Sequence, residues 1–302
     1  MAKLRTNHSR GSGGGTIVRV GLFAAILSAL VLMFNRFMGN SEQPAMTEEE
    51  TFETEIDVEA FKRLMPTSTT GEVVLNPYYA LSYAEDYEQA EWVAYALTEE
   101  RLRMPWVERT DNFMPDTKIT RASASPDDYR HSGYDRGHLV PAADMAFSEE
   151  AMASTFLMSN ISPQSRNFNK GIWRELEELT RDWAKKNEAL YVVTGPVLTE
   201  EPKAHIGPNE VAVPTAYFKV LLDYTEPQIK GIGFILPNEV SYEPLFKYAV
   251  TIDEVERQTG LDFFPNLLSN SEERVIESQV NIDLWEFNKK KYELRTRKWN
   301  ED

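Results

Sequence analysis

Cysteine is absent from this 302-residue chain. That excludes disulfides, thiolate nucleophiles and zinc held by sulfur, and it leaves the redox compartment undecided. Histidine is scarce, with four in the whole chain. His131 sits in a polar loop and His205 precedes a strand, and neither has metal-ligand spacing to a partner. Excess positive charge is missing too: the formal net charge is −16, which argues against a broadly basic nucleic-acid-binding surface. No internal repeat is visible. The apolar share of 42% is ordinary for a folded protein, and the length suits one large domain or two small ones.

The charge is unevenly spread. Residues 1–41 carry five basic and no acidic residues, and residues 42–100 carry two basic and fifteen acidic. Residues 101–186 hold thirteen of each and balance, whereas residues 187–302 hold twelve basic and twenty acidic. A neutral block with Arg121, Arg130, Arg166, Lys170 and Arg174 can still form a positive cleft in an acidic protein.

The amino terminus divides by composition. Residues 1–16 form a basic, Gly/Ser-rich tail, followed by the apolar run Val20–Phe34, extended by Ile17 and Val18 across Arg19. Fifteen residues is short of the ~20 that span a bilayer, but Arg19 and Arg36 can snorkel at its ends. No small-x-small cleavage site follows, so residues 17–38 are expected to be an uncleaved transmembrane anchor, a signal-peptide core being the alternative. The basic flank would leave the amino terminus in the cytoplasm and the remainder on the periplasmic or extracellular side. Secretion after cleavage and a mitochondrial location are the other placements. Residues 39–72, acidic and poor in aromatics, are expected to be a solvated stalk, with packed structure starting near Val73.

Strands are expected at Tyr79–Tyr83, Glu91–Leu97, Ala189–Val197, Val211–Leu222 and Ile229–Leu236 from their β-branched and aromatic content. One helix is expected between about Lys170 and Asn187, where Ile172, Leu176, Leu179 and Trp183 recur at helical spacing. Strands separated along the chain by one central helix indicate an α+β fold. Residues 288–302, with the charge run Lys289–Lys298, are expected to be a solvated terminal helix.

The chemistry centres on SGYDRGHLVP, residues 132–141, which contains His138. On the following helix Asn169, Trp173, Glu177 and Arg181 fall on one ridge at four-residue spacing. Separately these residues are ordinary: Asn169 reads as an N-cap, and Glu177 with Arg181 as an i,i+4 ion pair worth a few tenths of a kcal/mol. Together with Asp135-Arg-Gly-His138 they form a pattern that is hard to obtain by chance.

That pattern resembles the DNA/RNA non-specific endonucleases, the ββα-metal nucleases. The resemblance spans residues 73–287 and also rests on Ser159-Asn-Ile-Ser-Pro-Gln164, Asn169-Lys-Gly-Ile-Trp173, Thr194-Gly-Pro196, Val211-Ala-Val-Pro-Thr215 and Thr259-Gly-Leu-Asp-Phe-Phe-Pro265. It implies a mostly antiparallel central sheet flanked by helices, and cleavage of DNA and RNA that leaves 5′-phosphates. It further implies His138 as general base and Asn169 as the direct protein ligand of one Mg²⁺, with Mn²⁺ or Ca²⁺ as substitutes. Glu177 would hold metal-bound water, and Arg181 and Arg109 would bind the scissile phosphate. Arg136 and Lys170 would face the substrate backbone, Asp135 would order the loop and Asn160 would help orient His138. Residues addressing phosphate rather than base edges suit low sequence preference. A homodimer is compatible with the resemblance. The alternative class is a catalytically silent nucleic-acid-binding or adhesive ectodomain.

Overall fold

The computed structural model describes residues 57–301. The expected anchor at residues 17–38 and the basic tail before it lie outside the described residues. Among the described residues no helix is long and apolar enough to cross a membrane.

The described residues form eleven strands: β1 (Glu72–Leu75), β2 (Ala80–Ala84), β3 (Gln89–Thr98), β4 (Asp135–His138), β5 (Ile161–Gln164), β6 (Ala189–Pro196), β7 (Ala204–Ile206), β8 (Val211–Val213), β9 (Ala216–Asp223), β10 (Lys230–Pro237) and β11 (Ala249–Val250). Seven of them make one sheet in the order β1-β2-β3-β6-β9-β10-β11. Every neighbouring pair in it is antiparallel. Two ribbons, β4-β5 and β7-β8, stand apart from it. The expected α+β fold with a central antiparallel sheet is therefore what the chain adopts.

Both faces of the sheet are covered, so its central strands are apolar almost throughout rather than alternating with polar residues. Tyr95, Val192, Leu221 and Ile232 lie side by side across four strands on one face. They pack against Leu176, Leu179 and Trp183 of the long helix Arg174–Lys186. One residue along, Ala94, Val193 and Val220 face the other way and pack with Phe61, Ile252, Val255 and Phe263. Gly231 and Gly233 of β10 let the helix Ile252–Thr259 press onto this second face. A Cβ at these positions would lie 2.7 Å from Ile252 Cδ1 and 2.6 Å from Val255 Cγ2, respectively.

Four sequence expectations need correction. Among the described residues the helix Val58–Leu64 is already packed, with Phe61 and Leu64 buried under the sheet, so the solvated stalk does not extend to residue 72. Val211–Leu222 is two strands broken at Pro214, which cannot donate a ladder hydrogen bond. The helix expected from Lys170 begins as a regular α-helix only at Arg174. Before it, Phe168–Trp173 forms a wide π-type turn kinked at Gly171 (φ −96°, ψ −109°).

The charged stretch after residue 288 is also not a solvated helix. Its helix Lys289–Leu294 and the turn Arg295–Trp299 pack against the long helix. Arg295 is fully buried and pairs with Glu175 at 2.5 Å. It also donates to the carbonyls of Ser241 and Glu243. Lys291 pairs with Glu178 at 2.9 Å and Asp182 at 3.3 Å. The guanidinium of Arg174 stacks over Trp299 at 4.1 Å.

Candidate active site

The ribbon β4-β5 presents the quoted motif. Asp135 pairs in register with Gln164 and His138 with Ile161. Gly137 is required by close approach, because a Cβ there would lie 2.2 Å from the Gln164 side chain. Beyond the strand, Asn160 staples the chain. Its amide oxygen accepts from Val140 N, and its amide nitrogen donates to the carbonyls of Val140 and Thr155. Asn160 thus holds the backbone that follows His138 rather than bonding the imidazole.

The imidazole is held by aromatic rings. Phe113 lies 5.5 Å from it, centroid to centroid, and Phe156 meets it edge-on at 5.0 Å. Nε2 of His138 is buried with no hydrogen-bond partner. Burial first, and then the charges of Arg109 and Arg136, push the His138 pKa down to about 3, with Asp111 opposing. The ring is therefore neutral across the physiological range, with Nε2 unpaired.

After β5 the chain enters the π-type turn that carries Asn169. Wide turns of this kind often mark functional positions. Asn169 Nδ2 donates to Asp135 Oδ2 at 3.1 Å, which turns the amide so that its nitrogen is committed and its oxygen is not. Arg166 stands 3.8 Å from the other oxygen of Asp135. The turn is braced from behind: Asn167 Nδ2 donates to the Asn300 carbonyl at 3.0 Å, and a Cβ on Gly171 would lie 2.6 Å from Asn300 Oδ1.

Two cavities meet at Asn169. One of about 220 Å³ is lined by His138, Asn169, Lys170, Arg174 and Glu177, with Arg109 and Arg136 at its edge. The other, about 670 Å³, continues past Asn169 between Arg109, Arg130, Arg136, Tyr129 and Tyr134. The guanidinium of Arg136 stacks on Phe113 at 4.1 Å, and that of Arg109 lies 5.1 Å over Phe156 while pairing with Asp111 at 2.7 Å. The structure thus gathers six of the sequence-derived candidates, His138, Asn169, Glu177, Arg136, Arg109 and Lys170, around one groove, with Asp135 supporting Asn169.

Arg181 is placed differently. It is 11% exposed and donates to Asp144 Oδ1 at 2.7 Å; Asp144 also accepts from Tyr95 at 2.8 Å. The ridge drawn on one straight helix is broken at Gly171, so Trp173 is fully buried in the core while Asn169 turns outward. Lys219, on the face of β9 that lies under the site, is fully buried without a hydrogen-bond partner, its ammonium 4.9 Å over the Trp173 ring. Burial raises the Glu177 carboxyl, while Arg181 and Lys219 oppose that shift. Burial likewise lowers the Lys219 ammonium, with Glu177 and Asp144 opposing. Sequence reasoning missed Phe113, Phe156, Asp144, Tyr95 and Lys219. Of these only Lys219 carried a sequence signal, as a single charge inside the apolar strand AYFKVLLD.

A family model described as DNA/RNA non-specific endonuclease matches residues 57–270, and the chain belongs to this family of metal-dependent enzymes. It is a hydrolase acting on nucleic acids. Among its relatives, the mitochondrial endonuclease G of Homo sapiens is 37% identical over 206 residues, 64% of this chain and 69% of that protein. The mitochondrial nuclease EXOG of Danio rerio is 36% identical over 204 residues, 63% of this chain and 60% of that protein. A crystal structure of an EndoG/EndoGI complex superposes with a TM-score of 0.65 at 30% identity, covering 71% of this chain and 93% of that one.

Proposed function

We propose that the protein is a Mg²⁺-dependent, sugar-non-specific endonuclease that hydrolyses phosphodiester bonds of DNA and RNA and leaves 5′-phosphates. The observation that carries this is the meeting of an unpartnered, neutral His138 Nε2 with Asn169 and Glu177 at one groove edged by Arg109, Arg136 and Lys170. His138 accepts the proton of the attacking water at Nε2, a role worth ~10²–10⁴ in rate. Arg136, Arg109 and Lys170 neutralise phosphate oxygens along the groove. Asp135 sets the rotamer of Asn169 through the 3.1 Å bond. Arg181 compensates Glu177 from beneath, and it meets phosphate only by giving up Asp144.

The donor set fits a hard cation. Asn169 offers an amide oxygen, its nitrogen being committed to Asp135, and Glu177 offers a carboxylate within reach of bound water. Mn²⁺ or Ca²⁺ is accommodated by the same donors. When bound, the ion supplies positive charge to the phosphate undergoing attack. For location, residues 1–41, basic and free of acidic residues, suit a mitochondrial address like those in the relatives' names, or a membrane anchor at residues 17–38. Fractionation of a reporter fused to residues 1–56 separates the two.

The test is incubation of the protein with plasmid, single-stranded DNA and RNA, in Mg²⁺ or EDTA. Metal-dependent loss of all three substrates is expected, with His138→Ala nearly inactive. Wild-type rates in His138→Ala would remove the general base from the scheme. Binding of all three without cleavage would favour the silent nucleic-acid-binding alternative.

A further inference from the structure

On the sheet face opposite the groove, three carboxylates converge where two helices meet. Asp253 and Glu256 belong to the helix Ile252–Thr259, and Glu277 caps the end of the helix Asn270–Ile276. One oxygen from each lies within 4.8 Å of the others, and among the described residues no other three metal-ligating side chains gather so closely. Two hydrogen bonds from main-chain amides fix the arrangement: Asp253 N donates to the Glu277 carbonyl at 3.1 Å, and Phe263 N donates to Glu256 Oε1 at 2.9 Å.

The cluster has no counter-charge of its own. Among the described residues none of the three carboxylates makes an ion pair, and the nearby Arg257 is spent on Glu254 at 2.5 Å. Glu277 is the decisive member. Its side chain is 2% exposed, and its Oε1 is buried without any hydrogen-bond partner. A buried carboxylate facing two others, with an unspent oxygen, is unfavourable unless a cation sits between them or the carboxyl holds a proton. The Glu277 carboxyl is pushed up to about 9, by burial first and then by Glu256, Glu273, Asp253 and Asp262.

We propose that Asp253, Glu256 and Glu277 form a second cation site, distinct from the catalytic groove, that takes a divalent ion of the calcium class and ties the two helices together. Three converging carboxylate oxygens, with water completing the shell, suit the variable six- to eight-fold, loose geometry of Ca²⁺ better than the strict octahedron of Mg²⁺. The site is structural: it lies behind the sheet, and its occupant clamps the segment after Phe263 to the helix covering Gly231 and Gly233.

The experiment uses the full chain carrying Asn169→Ala, so that the groove's proposed metal ligand is gone and binding there is not counted. Equilibrium dialysis against Ca²⁺ is expected to find one ion per chain. At about a hundred-fold excess over its dissociation constant, Ca²⁺ is expected to raise the unfolding temperature by about 5–10 °C, and Mg²⁺ by much less. Adding Asp253→Asn or Glu277→Gln is expected to abolish both the bound ion and the rise; Asp253 is exposed, so its variant is the safer test of folding. No Ca²⁺ retained by Asn169→Ala, or undiminished binding in both added variants, overturns the site. An equal response to Mg²⁺ overturns the assignment to calcium.

Discussion

Arg295→Met removes a charge that the surrounding structure has no means of replacing. Arg295 is fully buried and Glu175 is 3% exposed, with 2.5 Å between them. Methionine keeps much of the volume but leaves the Glu175 carboxylate, and the carbonyl of Glu243, without their donor. Breaking a buried pair from one side costs about 3–5 kcal/mol, against a total stability of about 5–15 kcal/mol. For a domain of this size that corresponds to a fall of about 6–20 °C in unfolding temperature. Burial already raises the Glu175 carboxyl and Arg295 holds it down, so loss of the arginine moves it higher still. A folded-state pKa raised above the unfolded value makes the deficit small in acid and larger as pH climbs through that pKa. Urea unfolding of the parent, Arg295→Met, Glu175→Gln and the double variant measures this directly, and the double variant is expected to recover most of the loss. A single variant within about 1 kcal/mol of the parent, or a double variant no better than the single, would refute the ion-pair argument.

Outcomes are expected for three further variants. His138→Asn lowers kcat/KM by about 10²–10⁴ in a plasmid-nicking assay. Because the folded His138 lies at about 3, below its unfolded value, wild-type stability falls as pH drops below ~6.5, and the asparagine variant shows a shallower acid loss in pH-dependent melting. Lys219→Met removes a positive charge that favours ionised Glu177, so the acidic limb of the pH–rate profile moves to higher pH; an unmoved limb removes Lys219 from the site. Gly137→Ala forces Gln164 aside and destabilises by about 1–3 kcal/mol in chemical unfolding, with a loss of activity because β4 and β5 separate.

Local pattern carried much of this structure. The strands centred on Val193, Val220 and Ile232 and the helix around Leu179 follow from apolar spacing alone. His138, Asn169 and Glu177 were also legible as one constellation, because their chain neighbours have a recognisable order. What was not legible depends on distant partners. The turn at Asn169 looked helical, since its kink answers to Asn300, more than a hundred residues away. Arg181 looked free to clamp phosphate, since nothing in its own segment announces Asp144, 37 positions earlier. Lys291 and Arg295 looked solvated, since only the fold brings Glu175 and Glu178 to them. Burial of the imidazole between Phe113 and Phe156 falls in the same class.

The bracing of the Asn169 turn by Asn300 also has a consequence in time. Asn167 and its partner Asn300 are separated by 133 positions, and residues 289–299 dock on the long helix alongside them. During synthesis the groove, the motif and everything matched to the family through residue 270 emerge before this strap exists. The nascent chain therefore carries His138 and Asn169 with the turn that holds Asn169 still unsecured. Trimming residues 289–302 is therefore expected to loosen the Asn169 turn while leaving the groove's own side chains in the chain.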